Sequence, residues 1–207
     1  LNLTKKGGGG LSRETWEIVQ ESGIKNVEIQ LALQCAPLIA GLKISNLFQI
    51  SIENYIQVLK ILKNSKIMIY PLGVKGNTIA LLLYRKRSLE GYLDQEKVKE
   101  LLKEFGYSCI SLKEILVTFR KHYQEYLQKK RPFPHEIGFL LGYPPEDVEG
   151  FIRNNGQKFL CVGEWKVYEN SKAKQKLFQK YDYTRENLIQ LLSCGIRMDQ
   201  IVSIMGV

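Results

Sequence analysis

Two histidines and four cysteines are the residues of this chain with the widest chemical repertoire. The cysteines are far apart, with neither a Cys-x-x-Cys pair nor the spacing of a zinc ribbon. A His-Glu-x-x-His zinc motif that began at His135 would need a second histidine where Phe139 stands. Gly-x-Ser-x-Gly and Gly-x-Gly-x-x-Gly motifs are absent as well. The sequence therefore predicts no metal site and none of the common hydrolase or nucleotide-binding sites.

His135 and Cys35 are the candidates for catalysis. His135 stands between Pro134 and Glu136 at the predicted start of a short helix, and an imidazole there can act as a general base. Cys35 is followed closely by Lys43, a cation that would lower the pKa of the thiol and favour its nucleophilic form. Each residue also has a structural interpretation that stays open. His135 would pack at a proline-framed corner, and Cys35 would be a small buried hydrophobe.

The composition is that of a basic globular chain. Its 207 residues carry a formal net charge of +9, and 44% of them are hydrophobic. No apolar run approaches the ~20 residues that a membrane span requires, and we expect no export signal. We therefore expect a cytoplasmic protein with reduced thiols and no membrane partner.

The periodicity of apolar residues predicts the elements that must position these side chains. Two runs rich in β-branched and aliphatic residues flank a glycine-containing turn, which predicts a β-hairpin over 66–85. A third strand is predicted over 158–168. Helical spacing accounts for most of the rest, including a long helix that begins at a capping box of Ser111 and Glu114. We predict an α+β fold in which a small antiparallel sheet, formed by the hairpin and the third strand, packs with many helices.

The predicted domain organisation is simple. Residues 1–10 contain four consecutive glycines and are expected to be a flexible lead-in. Residues 11–182 form a single α+β domain, and 183–207 form a helical hairpin appended to it. The tail resembles the first half of a helix-turn-helix, but no recognition helix follows, so DNA binding is not predicted.

A composite motif in the second half of the chain carries a family resemblance. Its segments are Phe133-Pro134-His135-Glu136-Ile137-Gly138, Leu141-Gly142-Tyr143-Pro144, Asp147-Val148, Gly150-Phe151 and Cys161-x-Gly163-x-Trp165-Lys166-Val167-Tyr168, preceded by Cys35-Ala36-Pro37, Gly41-x-Lys43 and Tyr84-Arg85. With these motifs, residues 27–181 resemble a bacterial family of unknown function, the domain-of-unknown-function family 3793 of mainly anaerobic Gram-positive bacteria. The resemblance implies a link to iron, haem or flavin and redox metabolism.

The motif residues with polar, aromatic or thiol side chains are the candidates for ligand binding. They are Lys43, Arg85, Glu136, Tyr143, Cys161, Trp165, Lys166 and Tyr168. If the fold gathers the cations around His135 and Tyr143, they would form a pocket for an anionic group such as a phosphate or a propionate. Trp165 and Cys161 also have a structural interpretation, on the apolar face of a strand.

Three functional hypotheses stay open. The first is a ligand-binding or accessory protein that takes up a small anionic ligand, with haem and flavin as the cofactors considered. The second is an enzyme that uses a Cys35 thiolate or His135 as a general base on an anionic small molecule. The third is a basic module that binds protein or RNA. The absence of an RNP motif makes nucleic acid the least favoured partner.

Overall fold

The structure, a computed structural model, describes residues 11–108 and 111–205. The predicted lead-in at 1–10 lies outside the described residues. The elements, in chain order, are α1 (Arg13–Ser22), α2 (Val27–Ile39), β1 (Ser45–Ser51), a 3-10 turn (Ile52–Asn54), α3 (Tyr55–Leu62), β2 (Ile67–Lys75), β3 (Thr78–Arg85), α4 (Lys86–Leu93), α5 (Glu96–Glu104), α6 (Leu112–Leu127), α7 (Ile137–Leu140), α8 (Pro145–Arg153), β4 (Cys161–Val162), β5 (Lys166–Val167), α9 (Ser171–Ser193) and α10 (Met198–Met205).

The main sheet is antiparallel, with strand order β1-β3-β2. The predicted hairpin is confirmed, because β2 and β3 pair directly and turn at the glycine-containing segment. A register shift between Pro71 and Gly73 marks a bulge in β2, where a proline cannot donate to the ladder. With a small antiparallel sheet among many helices, the α+β class is confirmed.

The third strand of this sheet was predicted wrongly. It is β1, whereas residues 158–168 form a separate hairpin in which only two residue pairs, Cys161–Val167 and Val162–Lys166, face each other. The apolar residues of that segment suggested a strand, but Gly163 and Glu164 occupy its turn. The segment is therefore too short to join the sheet. We call β4, β5 and their turn the small hairpin.

The sheet lies between two hydrophobic cores. On β3, Ile79, Leu81 and Leu83 enter a first core with α1, α2, α3, α9 and α10. The alternate residues of the same strand, among them Leu82 and Tyr84, enter a second core with α4 to α8. Because successive side chains of a strand point to opposite faces, β3 is apolar on both sides and holds the two helical layers together.

The C-terminal segment is continuous with the domain. The boundary predicted at residue 183 falls inside α9, which runs without interruption from Ser171 to Ser193. Leu188 and Ile201 belong to the first core. The chain turns between α9 and α10 at Gly195, the predicted break, where φ is 83°. Within the described ranges, no helix combines the length and the apolar character that a bilayer crossing requires.

Candidate functional site

A cavity of about 300 Å³ lies between the α7–α8 corner and the small hairpin. We call it the aromatic groove and define it by Phe133, His135, Tyr143, Phe151, Trp165 and Lys166. Four of these residues were predicted as site residues: His135, Tyr143, Trp165 and Lys166. The structure therefore brings together the part of the composite motif that lies on the corner and the part that lies on the hairpin.

The walls of the groove are aromatic. Tyr143 and Trp165 stack with ring centroids 4.7 Å apart at 27°. The imidazole of His135 lies 5.0 Å from the ring of Phe151 and 5.7 Å from that of Phe133. Rings at these separations interact favourably with one another, so they line the groove as one aromatic cluster. The groove is thus suited to a ligand with a planar ring system.

Close packing at the corner fixes the direction of these rings. Helix α7 is one turn long and ends at Leu140, and the chain then turns at Gly142, where φ is 67°. A side chain at Gly142 would also collide with Ile44. A Cβ on Gly138 would lie 2.8 Å from a methyl group of Val148 in α8. Glycine at both positions lets the two short helices meet at the angle that opens the groove.

Asp147 attaches the small hairpin to α8. Its buried carboxylate accepts hydrogen bonds from Trp165 Nε1 at 2.7 Å, from the backbone N of Tyr168 at 2.7 Å and from the backbone N of Glu169 at 3.2 Å. The ammonium group of Lys174, on α9, lies 3.7 Å away. Asp147 therefore holds Trp165 in place. Asp147 was not predicted as a site residue, because its partners are 18 to 27 positions away and no local pattern indicates them.

Lys166 places a cation at the wall of the groove. Its Nζ donates to the carbonyl of Gly156 at 2.7 Å and lies 4.9 Å and 5.7 Å from the ring centroids of Phe159 and Phe151. An ammonium group has three donors, and Gly156 is the only acceptor that it reaches in the described part of the chain. His135 is exposed. Lys166 and His135 are thus the basic groups among the residues that line the groove, and the carboxylates of Asp147 and Glu164 line it as well.

A buried polar cluster lies behind the groove. Lys43 donates to Asn46 Oδ1 at 2.8 Å, and its Nζ lies 3.7 Å from the carboxylate of Glu164. Arg185 donates to the same carboxylate at 2.7 Å. Burial lowers the pKa of Lys43, and the charge of Glu164 partly offsets this effect. Glu164 also lines the groove, so it connects the groove to the cluster.

Cys35 lies in this cluster, where its surroundings favour the structural interpretation over the nucleophilic one. Burial raises the pKa of its thiol from 9.0 to about 12. The charge of Lys43 and a contact from Asn46 Nδ2, 3.5 Å from the sulfur, act in the lowering direction but are smaller effects. The expected influence of Lys43 is therefore present, but desolvation outweighs it. This environment opposes a Cys35 thiolate.

The remaining predicted residues lie outside the groove. Arg85 donates to the carbonyls of Leu38 and Ile39 and so stabilises the C-terminal end of α2. Glu136 is buried, with one oxygen 2.8 Å from Nδ1 of His122. Of the cations expected around His135 and Tyr143, Lys166 lines the groove, and Lys43 lies behind it with its Nζ 5.6 Å from the ring centroid of Tyr143.

Cys161 and Tyr168 flank the base of the small hairpin. Cys161 packs on a small core that contains Val167, Phe178 and Tyr181. The ring of Tyr168 lies against Gly150, and burial raises the pKa of its hydroxyl group. That hydroxyl has no hydrogen-bond partner among the described residues. Both side chains support the hairpin from outside the groove.

The described residues contain no group of three or more histidine, cysteine, aspartate or glutamate side chains placed to hold a metal ion.

No curated protein and no solved structure is significantly similar to the chain. A family model, described as a protein of unknown function (DUF3793), matches residues 31–202. The match continues through the tail after residue 184, which the motif comparison had left outside the family pattern. The chain therefore belongs to the DUF3793 family of proteins of unknown function.

Proposed function

We propose that the protein binds a small planar ligand with an anionic group in the aromatic groove. The observation that carries the proposal is the stacked pair of Tyr143 and Trp165, which shares one cavity with the ammonium group of Lys166. Ligand pockets in proteins are mostly apolar and contain a few polar groups that fix orientation. The aromatic walls would stack on the ring system, and Lys166 would meet the anionic group.

The volume of the groove limits the ligand. About 300 Å³ lies at the lower end of the range for small-molecule sites. It suits a fused ring system such as that of a flavin, whereas a haem would lie partly outside the groove. Among the cofactors considered from the family resemblance, the geometry favours a flavin-like molecule. A link to redox or iron metabolism is part of this proposal.

The same features favour binding over catalysis. The pKa of Cys35, about 12, leaves almost no thiolate near neutral pH. His135 is exposed at the groove and makes ring contacts only, with no orienting hydrogen bond from the described residues. A general base is normally held by such a partner. Cys35, Cys161 and Cys194 are free thiols, which supports placing the protein in the reducing cytoplasm.

Spectroscopy of the purified protein tests the proposal. Absorbance spectra and native mass spectrometry would show a ligand retained during purification. Flavin mononucleotide and haem are then titrated separately, with Trp165 fluorescence as the signal in a Trp16→Phe background, because the chain has two tryptophans. We expect saturable quenching by flavin mononucleotide. No retained ligand, together with no response to either compound, would contradict the proposal.

Two variants locate the binding site. Lys166→Gln removes the cation and should weaken flavin mononucleotide binding about tenfold, the loss expected for one partly exposed charge-assisted hydrogen bond. The matched control is Lys103→Gln, because Lys103 is an exposed lysine on α5, outside the groove. Equal affinities of the two variants would place the ligand elsewhere on the molecule.

A further inference from the structure

The first half of α9 carries a concentrated positive charge. Its segment from Ser171 to Tyr181 contains four lysines and no acidic residue. Lys174 is paired with Glu146 at 3.1 Å. The other three, Lys172, Lys176 and Lys180, are exposed, and none forms an ion pair within residues 11–108 and 111–205. We call these three lysines, with Tyr183, the basic face of α9.

The spacing of these lysines is regular. They stand four residues apart, so a rise of 1.5 Å per residue separates successive positions by about 6 Å along the axis. A row with this spacing forms a ridge on a helix, the feature that packs against a second helix. Tyr183, with 67% of its surface exposed, extends the row. Tyrosine is enriched in protein–protein interfaces.

One charge on this face, that of Lys172, opposes the dipole of its own helix. Lys172 and Lys174 lie in the first turn of α9, which contains no acidic residue. Cations near a helix N-terminus are unfavourable, because the peptide dipoles place partial positive charge there. Lys174 is neutralised by its acidic neighbours on α8, whereas the basic face has no such compensation among the described residues. A negatively charged partner would supply it.

We propose that the basic face of α9 binds an acidic helix of another protein, with carboxylates at positions i, i+4 and i+8. Such a helix repeats its charges every 6 Å or so, the spacing of the lysines. All the cations of the face are lysines, whereas the planar guanidinium of arginine is the group typical of phosphate recognition. Three charges also fall short of the six to ten or so phosphate contacts of a strong nucleic-acid site. Both points favour an acidic protein over RNA.

Peptide binding at low ionic strength tests the proposal. The probes are two labelled alanine-based peptides of equal composition, one with glutamates spaced four residues apart and one with the glutamates consecutive, and a labelled oligouridylate. Fluorescence anisotropy should show the tightest binding for the spaced peptide. Equal binding of the two peptides, tighter binding of the oligouridylate or no binding of the spaced peptide would each overturn the proposal.

A matched pair of triple variants separates the basic face from the overall charge. Lys172→Gln, Lys176→Gln and Lys180→Gln together should weaken binding of the spaced peptide about tenfold, the combined effect of three exposed ion pairs. The control replaces Lys25, Lys63 and Lys66, three exposed lysines elsewhere on the surface, with glutamine. It removes the same charge and should change the affinity less than twofold. Equal losses in the two variants would attribute binding to net charge and overturn the proposal.

Discussion

Replacing Asp147 with alanine removes the attachment between the small hairpin and α8. The carboxylate is buried and accepts from the indole of Trp165 and from the backbone N of Tyr168 and of Glu169. A hydrogen bond to a charged group contributes about 1.5–3 kcal/mol. The donors lie near the protein surface, where water can replace part of each bond. At the low end of this range the three bonds would total about 4.5 kcal/mol, and because water replaces part of each bond we expect Asp147→Ala to lower the free energy of unfolding by about 3 kcal/mol.

Asp147→Asn separates the contributions of the individual donors. The amide oxygen can replace Oδ1, which accepts from the backbone N of Tyr168 and Glu169. The amide nitrogen would then face Trp165 Nε1, which is also a donor. We expect the free energy of unfolding to fall by about 1.5 kcal/mol, which is less than the fall expected for the alanine variant. Trp165 should be the residue whose environment changes most.

Urea denaturation gives the free energies, and iodide quenching of Trp165 in a Trp16→Phe background reports on the hairpin. The control is Asp94→Ala, which removes an exposed carboxylate paired with Lys99 and should cost about 0.5 kcal/mol. A loss for Asp147→Ala within about 0.5 kcal/mol of this control, with unchanged quenching, would refute the assigned role of the carboxylate.

Three further predictions concern the buried thiol, a close glycine contact and the polar cluster. Since the pKa of Cys35 is raised from 9.0 to about 12, the folded chain keeps a proton that the unfolded chain loses above pH 9, and stability falls as the pH rises towards 12. Between pH 8 and pH 10, urea titrations should show that the free energy of unfolding falls by about 1.4 kcal/mol less for Cys35→Ala than for the unsubstituted protein. An equal fall in the two proteins would contradict this prediction. Gly150→Ala places a Cβ 2.5 Å from the ring of Tyr168 and should destabilise by about 1–3 kcal/mol in thermal unfolding. The control is Gly91→Ala on α4, where the added Cβ would have no atom within 4 Å, and it should stabilise the protein by about 0.5–1 kcal/mol. If both substitutions stabilised or both destabilised the protein, the packing argument would be refuted. Arg185→Met leaves Glu164 and Asp182 without this partner and should cost about 3 kcal/mol in urea denaturation. The control is Arg13→Met, which breaks an ion pair with Glu17 whose arginine is 93% exposed. It should lower the free energy of unfolding by no more than about 0.5 kcal/mol. Similar losses in the two variants would contradict the argument from burial.

The helices and the hairpin were predictable where the signal is local. The capping box at Ser111 predicts the start of α6, and in the structure the Ser111 hydroxyl accepts from the backbone N of Glu114. The hairpin follows from two apolar runs around a glycine turn. Strand β1 was not predictable in this way, because buried Ser45 and Asn46 interrupt its apolar pattern. Their polar atoms bind the Leu140 carbonyl and Lys43, partners that only the fold brings near.

The same distinction applies to the site. His135, Tyr143, Trp165 and Lys166 were found because they belong to one composite motif, and they share the groove. Arg185 was missed because its contacts with Leu33 and Glu164 join distant parts of the chain. For Cys35, the sequence left the nucleophilic and the structural interpretations open for a related reason. Sequence proximity to Lys43 indicates a charge effect, but the larger desolvation effect depends on how deeply the fold buries the thiol.

Helix α9 connects the small hairpin to the first core. Its 23 residues form a rod about 34 Å long. In its first half, Phe178 and Tyr181 support the small hairpin, and in its second half, Leu188 and Ile189 are buried in the first core. The hairpin wall of the groove therefore packs on a continuous helix that is anchored in the first core. A truncation before Leu188 would remove that anchor. Helices α9 and α10 are therefore needed to hold the hairpin wall of the groove in place.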